Sequence, residues 1–162
     1  MSLERHQGGW VIVFSFILAL LLAIIPLPDW IILWRPEWVA MTVIYWCIAL
    51  PERAGVFTGW LAGIAMDILY STLLGHYALS YALLAYISLK IHRRLRVFPL
   101  PQQVFIIFLL IAFIQLPGLW VRGIQGHPST LFELLYPAVT SMLLWPWAFI
   151  SLRMLRQHFH VR

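Results

Sequence analysis

Charge is scarce in this chain. Only 10% of its 162 residues are Asp, Glu, Lys or Arg, whereas 62% are hydrophobic. A soluble domain of this size carries about a quarter charged residues. That shortage excludes an ordinary globular domain and predicts a polytopic membrane protein. Cysteine is almost absent as well. Cys47 stands alone, so it forms no intrachain disulfide, and its apolar surroundings mark it as a small core residue. Recognisable chemistry is also missing. The chain has no Gly-rich phosphate loop, no Cys/His cluster and no supported nucleophile–base pair, and His76 and His127 are isolated. The expectation is a protein that is not an enzyme and binds no metal or cofactor.

What the chain does have is long apolar runs punctuated by proline. We expect an all-α bundle of six transmembrane helices in one domain over residues 1–162, with spans near 10–27, 36–50, 54–70, 76–89, 102–121 and 131–152. Nine Trp and six Tyr suit two membrane interfaces. The first run ends in PLPDW, which offers no small-residue cleavage site, so it reads as an uncleaved span. The second is short: 15 residues at 1.5 Å each cover roughly 22 Å of a ~30 Å hydrocarbon layer. Either it begins earlier, near Trp30, or residues 29–35 lie in the interface and the bilayer thins. Glu37 falls in its first turn, where a carboxylate complements the helix dipole. Thr130 and Glu133 have capping-box spacing at the start of the sixth span, and Pro137 and Pro146 are expected to kink it.

The net charge of +5 is unevenly placed. With six spans, one side receives nine basic residues: Arg5, Arg53, Lys90, Arg93, Arg94, Arg96, Arg153, Arg156 and Arg162. The other receives two, Arg35 and Arg122. By the positive-inside rule both termini are cytoplasmic. Merging the third and fourth spans, the five-span alternative, splits the two large basic clusters between opposite sides. The cluster formed by Lys90, Arg93, Arg94, Arg96, Arg153 and Arg156 therefore sets topology. It also suits anionic phospholipid headgroups, and no nucleic-acid role is needed to explain it.

The most informative stretch is 55–83, GVFTGWLAGIAMDILYSTLLGHYALSYAL. Gly55, Gly59 and Gly63 recur every four residues and Asp67 continues the interval. Small residues at this spacing let membrane helices approach closely. Steps of four drift about 40° each on a 3.6-residue helix. With Thr58, Ala62 and Ala65 the small residues cover more than half the circumference, so a crowded central helix is expected. An acid at this depth needs a partner or a purpose. Arg35 and Arg122 are the expected counter-charges for Asp67. The residues alone leave two roles open for it, a group that fixes packing or a coupling acid that contacts a ligand.

Three segments carry a family resemblance: RPEWV at 35–39, YWCIALPERAGVFTGWLAGIAMDILYSTLLG at 45–75, and LLWPWAFISLRMLRQHF at 143–159. Across almost its whole length the chain resembles the bacterial rod shape-determining MreD family. The pattern Gly59–Gly63–Asp67…Leu74–Gly75 is the most specific part. The resemblance implies an inner-membrane component of the cell-elongation complex, without catalytic activity. It implies partnership with MreC, MreB, RodZ and the elongation-specific transglycosylase and transpeptidase, in organising lateral peptidoglycan synthesis. It also implies a fold similar to the six-helix substrate-binding subunits of energy-coupling-factor transporters. That analogy supplies an alternative, a small-molecule-binding transporter subunit, which Ala19 and Ala23 fit by spacing alone. On the first reading, residues 55–75 hold the bundle together and shape a partner-facing surface, with Asp67 as a buried polar pin.

Overall fold

Proline and glycine set the helix boundaries in the computed structural model, which describes residues 8–127 and 129–161. Six α-helices follow one another: α1 Gly9–Ile24, α2 Trp38–Ala49, α3 Val56–Leu69, α4 His76–Val97, α5 Leu100–Ile124 and α6 Leu131–His158. No strand occurs among the described residues. Pro99 caps α5 and Pro101 lies in its first turn, where a missing N–H costs nothing. Pro117, Pro137 and Pro146 lie inside continuous helices. Arg5 and Arg162 lie outside the described residues.

Helices α5 and α6, of 25 and 28 residues, are the two long and apolar enough to cross a membrane by length and composition. The basic cluster does not follow the fourth helix, as its charges suggest. Helix α4 runs straight through Lys90, Arg93, Arg94 and Arg96 to Val97. Likewise α6 continues through Arg153 and Arg156. Arg and Lys are good helix formers, and cations in a last turn favour its dipole.

The central helix is α2, not the glycine-marked α3. Every residue from Val39 to Ile48 is buried. This explains its 12-residue length. A helix enclosed by other helices has no bilayer thickness to match. Residues 29–35 do not extend it; they form a turn and the single 3₁₀ turn Ile32–Trp34. Trp46 is fully buried and its indole N–H donates to Ser15 Oγ on α1 at 2.8 Å. Cys47 is buried and free.

Helix α3 packs chiefly on α4 and leaves its opposite face open. Phe57, Trp60, Leu61 and Ile68 are exposed. The two helices run antiparallel, since Gly59 meets Tyr81 and Ala85 while Gly63 meets Tyr77 and Ala78. One merged helix, as in the five-span alternative, is therefore not formed. Gly59 and Gly63 are the true contact glycines. A methyl group on Gly59 would lie 2.5 Å from Tyr81 O, and one on Gly63 would lie 2.6 Å from Ala78 N. Gly55 is different: it caps α3 with open space around it, so it is not a packing glycine.

Large apolar side chains cover the outside. Phe14, Ile17 and Leu21 on α1 are exposed, as are Phe105, Leu109 and Phe113 on α5 and Leu143, Trp147 and Ile150 on α6. Apolar surface this extensive belongs in contact with lipid or protein rather than water.

Gly63→Ala should lower the unfolding midpoint of the purified protein, because overpacking a tight contact costs about 1–3 kcal/mol. Gly123→Ala, where nothing lies within 4 Å, should leave it unchanged or slightly raised. Equal midpoints for the two variants would contradict the close α3–α4 contact.

Candidate functional site

Two carboxylates organise the bundle's polar interior. The first is Asp67, on the last turn of α3 and 1% exposed. Its Oδ1 accepts from Thr72 Oγ1 at 2.8 Å and from the Tyr77 N–H at 2.9 Å. Its Oδ2 accepts from the Gly75 N–H at 2.9 Å and the Ala78 N–H at 3.2 Å. Asp67 thus caps the next helix from across the turn, satisfying first-turn N–H groups that have no partner within α4. Gly75, the N-cap of α4, has φ 102, a left-handed conformation that glycine adopts at little cost. The Asp67–Gly75 spacing in the sequence is the signature of this capped turn.

The arginines expected beside Asp67 are elsewhere. Arg35 donates from Nη1 to the Tyr70 hydroxyl at 3.4 Å and from Nη2 to Ile25 O at 3.0 Å. The Tyr70 hydroxyl donates to Ala23 O at 3.3 Å. Arg35 thereby ties the end of α1 to the end of α3. Arg122 is exposed in the last turn of α5. Four local donors already fill the Asp67 oxygens, which removes the need for a counter-ion.

The second carboxylate is Glu37, the residue preceding α2. Its Oε1 accepts from Gln115 Nε2 of α5 at 2.8 Å, and its Oε2 accepts from the Tyr81 hydroxyl of α4 at 2.9 Å. Its backbone N–H donates to Ser141 Oγ of α6 at 2.9 Å. One residue therefore joins the start of the central helix to three others. Dipole compensation alone, the expectation from sequence, missed this role. The available signal was depth: Glu37, Tyr81 and Gln115 all lie toward the same end of their spans.

Aromatic rings connect the two nodes. Tyr77 packs on Tyr70 at 5.8 Å and edge-on to Tyr81 at 5.7 Å. His76 lies 4.8 Å from Tyr77, and its ring sits 3.6 Å from the space beside Gly118. At the start of α6, the expected capping box is not formed. Thr130 makes no side-chain cap, and only the Glu133 N–H to Thr130 O backbone bond is present.

The opposite end of the bundle is basic. Arg96 donates from Nε to Ile48 O at 2.7 Å and from Nη2 to Ala49 O at 2.9 Å, closing the C-terminus of α2. Arg96, Arg153 and Arg156 line one cavity at this end, whereas Lys90, Arg93 and Arg94 are exposed outside it. The Lys90 ammonium lies 5.0 Å over the Tyr86 ring. Among the described residues no group of three His, Cys, Asp or Glu is placed to hold a metal.

A central helix pinned by a carboxylate, a capped Asp–Gly turn and an apolar exterior span the same residues as a family match. The model of the rod shape-determining protein MreD family matches residues 4–155. The chain belongs to the MreD family. A rod shape-determining protein MreD from Haemophilus influenzae is 28% identical over 149 residues, covering 91% of this chain and 92% of that one. No solved structure matches the chain. The family assigns a membrane protein with a role in determining rod shape. Neither match points to a transporter subunit.

Asp67→Ala would strip partners from three backbone N–H groups and a hydroxyl, and Glu37→Ala from an amide and a phenol. Lost caps and unpaired buried donors each cost about 1–3 kcal/mol. Both variants should unfold at clearly lower temperature or denaturant than the parent. Arg122→Gln, which removes a side chain that neither carboxylate uses as a hydrogen-bond donor, should change little. A parent-like midpoint for Asp67→Ala would contradict the capping role.

Proposed function

We propose that this chain is a non-enzymatic, six-span component of the bacterial inner membrane. In this reading both termini are cytoplasmic, and the protein maintains rod shape by binding MreC and organising lateral peptidoglycan synthesis. MreB, RodZ and the elongation-specific transglycosylase and transpeptidase belong to the same assembly. The observation that carries the reading is the division between interior and exterior on a chain of this family. The interior carboxylates are engaged in joining helices, while the periphery is large, apolar and exposed.

The charge pattern supports the orientation. The ends of α2, α4 and α6 bring Arg96, Arg153 and Arg156 together, and Arg35 and Arg122 lie near Glu37 at the other end. The positive-inside rule assigns the richer end to the cytoplasm, where anionic phospholipids meet Lys90, Arg93 and Arg94. Residues 55–75 supply the partner-facing surface. Gly59, Gly63 and Asp67 turn inward to α4, which leaves Phe57, Trp60, Leu61 and Ile68 facing out from α3.

Removing the gene from a rod-shaped host should make the cells round, and the parent gene should restore rods. A photo-crosslinking residue at Leu61 or Ile68 should capture MreC, while one at Leu109 on α5 should not. Cells that stay rod-shaped without the protein would overturn the function. Capture only from Leu109 would move the docking face away from α3.

A further inference from the structure

The basic end encloses a cavity of about 380 Å³ where the ends of α2, α4, α5 and α6 meet. Tyr45, Arg96, Gln103, Phe149, Arg153 and Arg156 line it, and no Asp or Glu does. Three guanidinium groups around one space repel one another unless an anion joins them. Arg96 spends part of its fork on the carbonyls of α2. Arg153 and Arg156 have no hydrogen-bond or ion-pair partner among the described residues.

Gln103 adds a second requirement. It is 6% exposed, and its Nε2 donates to Leu95 O at 2.7 Å and to Phe98 O at 3.3 Å. Two carbonyl acceptors fix which way the amide faces. Its Oε1 is buried and has no hydrogen-bond partner. The cavity therefore asks for an anion and, beside it, a hydroxyl donor. Guanidinium forks match phosphate oxygens. Ile150 and Met154, next to the lining residues Phe149 and Arg153 on α6, are exposed apolar side chains, and these suit acyl chains.

We infer that this cavity is a headgroup site for a polyol phosphodiester lipid, of which phosphatidylglycerol is the simplest. The phosphate accepts from Arg153 and Arg156, and a glycerol hydroxyl donates to Gln103 Oε1. The site rests on the basic end lying at headgroup depth, as in the reading above. It differs from diffuse attraction to an anionic surface, because it holds one lipid and distinguishes headgroups of equal charge.

The full chain, reconstituted in phosphatidylcholine nanodiscs containing a minority of phosphatidylglycerol, tests it by native mass spectrometry of retained lipids. One phosphatidylglycerol per chain is expected. Phosphatidylmethanol, with the same charge but no hydroxyl, should be retained less. The double variant Arg153→Gln, Arg156→Gln should weaken retention roughly 30-fold for two lost charges. The Lys pair at the same positions should recover part of it, which separates lost binding from lost folding. Lys90→Gln with Arg93→Gln and Arg94→Gln, outside the cavity, should weaken retention of both anionic lipids alike and leave the preference for phosphatidylglycerol over phosphatidylmethanol unchanged. Undiminished retention by the Gln pair, or equal retention of phosphatidylmethanol, overturns the site. Displacement by soluble glycerol phosphate at concentrations comparable to the lipid's overturns the lipid assignment. Nanodiscs expose both faces, so these results do not depend on orientation. Labelling of Gln157→Cys from the outside of whole cells would overturn the orientation separately.

Discussion

A polar group inside a low-dielectric bundle must be answered by protein, because water is not there to answer it. The two interior carboxylates meet this constraint differently. Asp67 turns a weak point of the chain, the uncapped start of α4, into a set of four hydrogen bonds. Glu37 gathers side chains from α4 and α5 around the entrance of α2, while its own amide reaches α6. The first fixes a hairpin locally. The second fixes the placement of helices far apart in sequence. With both in place, α2 stays buried on all sides and apolar residues are left to the outside.

Small residues act within that frame rather than creating it. Gly59 and Gly63 let the backbone of α4 come close enough for its first turn to reach Asp67. Ser15 accepts the indole N–H of Trp46, so the fully buried Trp of the central helix is held without an unpaired donor. At the basic end, Arg96 closes the α2 C-terminus and sets the floor of a cationic cavity. The interior is thus concerned with cohesion, and the surfaces proposed to meet lipid and partners lie at the periphery and the basic end. This suits a family whose role is cell shape.

The helical class and the helix number were legible because proline, apolar runs and charge bias are local or additive signals. The Asp67–Gly75 turn was visible as a pattern, but its meaning was not. Backbone donors leave no mark in a sequence, so charged partners were sought and Arg35 and Arg122 chosen. Helix α2 was hidden for a related reason. A helix apolar on every face has no periodicity to show that it is enclosed, and its shortness looked like a mismatch with the bilayer. Glu37 and Gln115 are 78 residues apart, and only tertiary structure joins them. The basic residues showed their sign in sequence, but not that α4 and α6 carry Arg96, Arg153 and Arg156 onward as helix to one cavity.

In the reading proposed here the carboxylates serve cohesion and not a separate chemistry. The direct measurement is rescue of rod shape plotted against folded protein level for conservative variants at Glu37, Asp67, Gln115 and Ser141. All variants should fall on one common curve, with shape failing only as folded protein is lost. A Glu37→Gln or Asp67→Asn protein that is folded and present at parental level, yet leaves cells round, would contradict it.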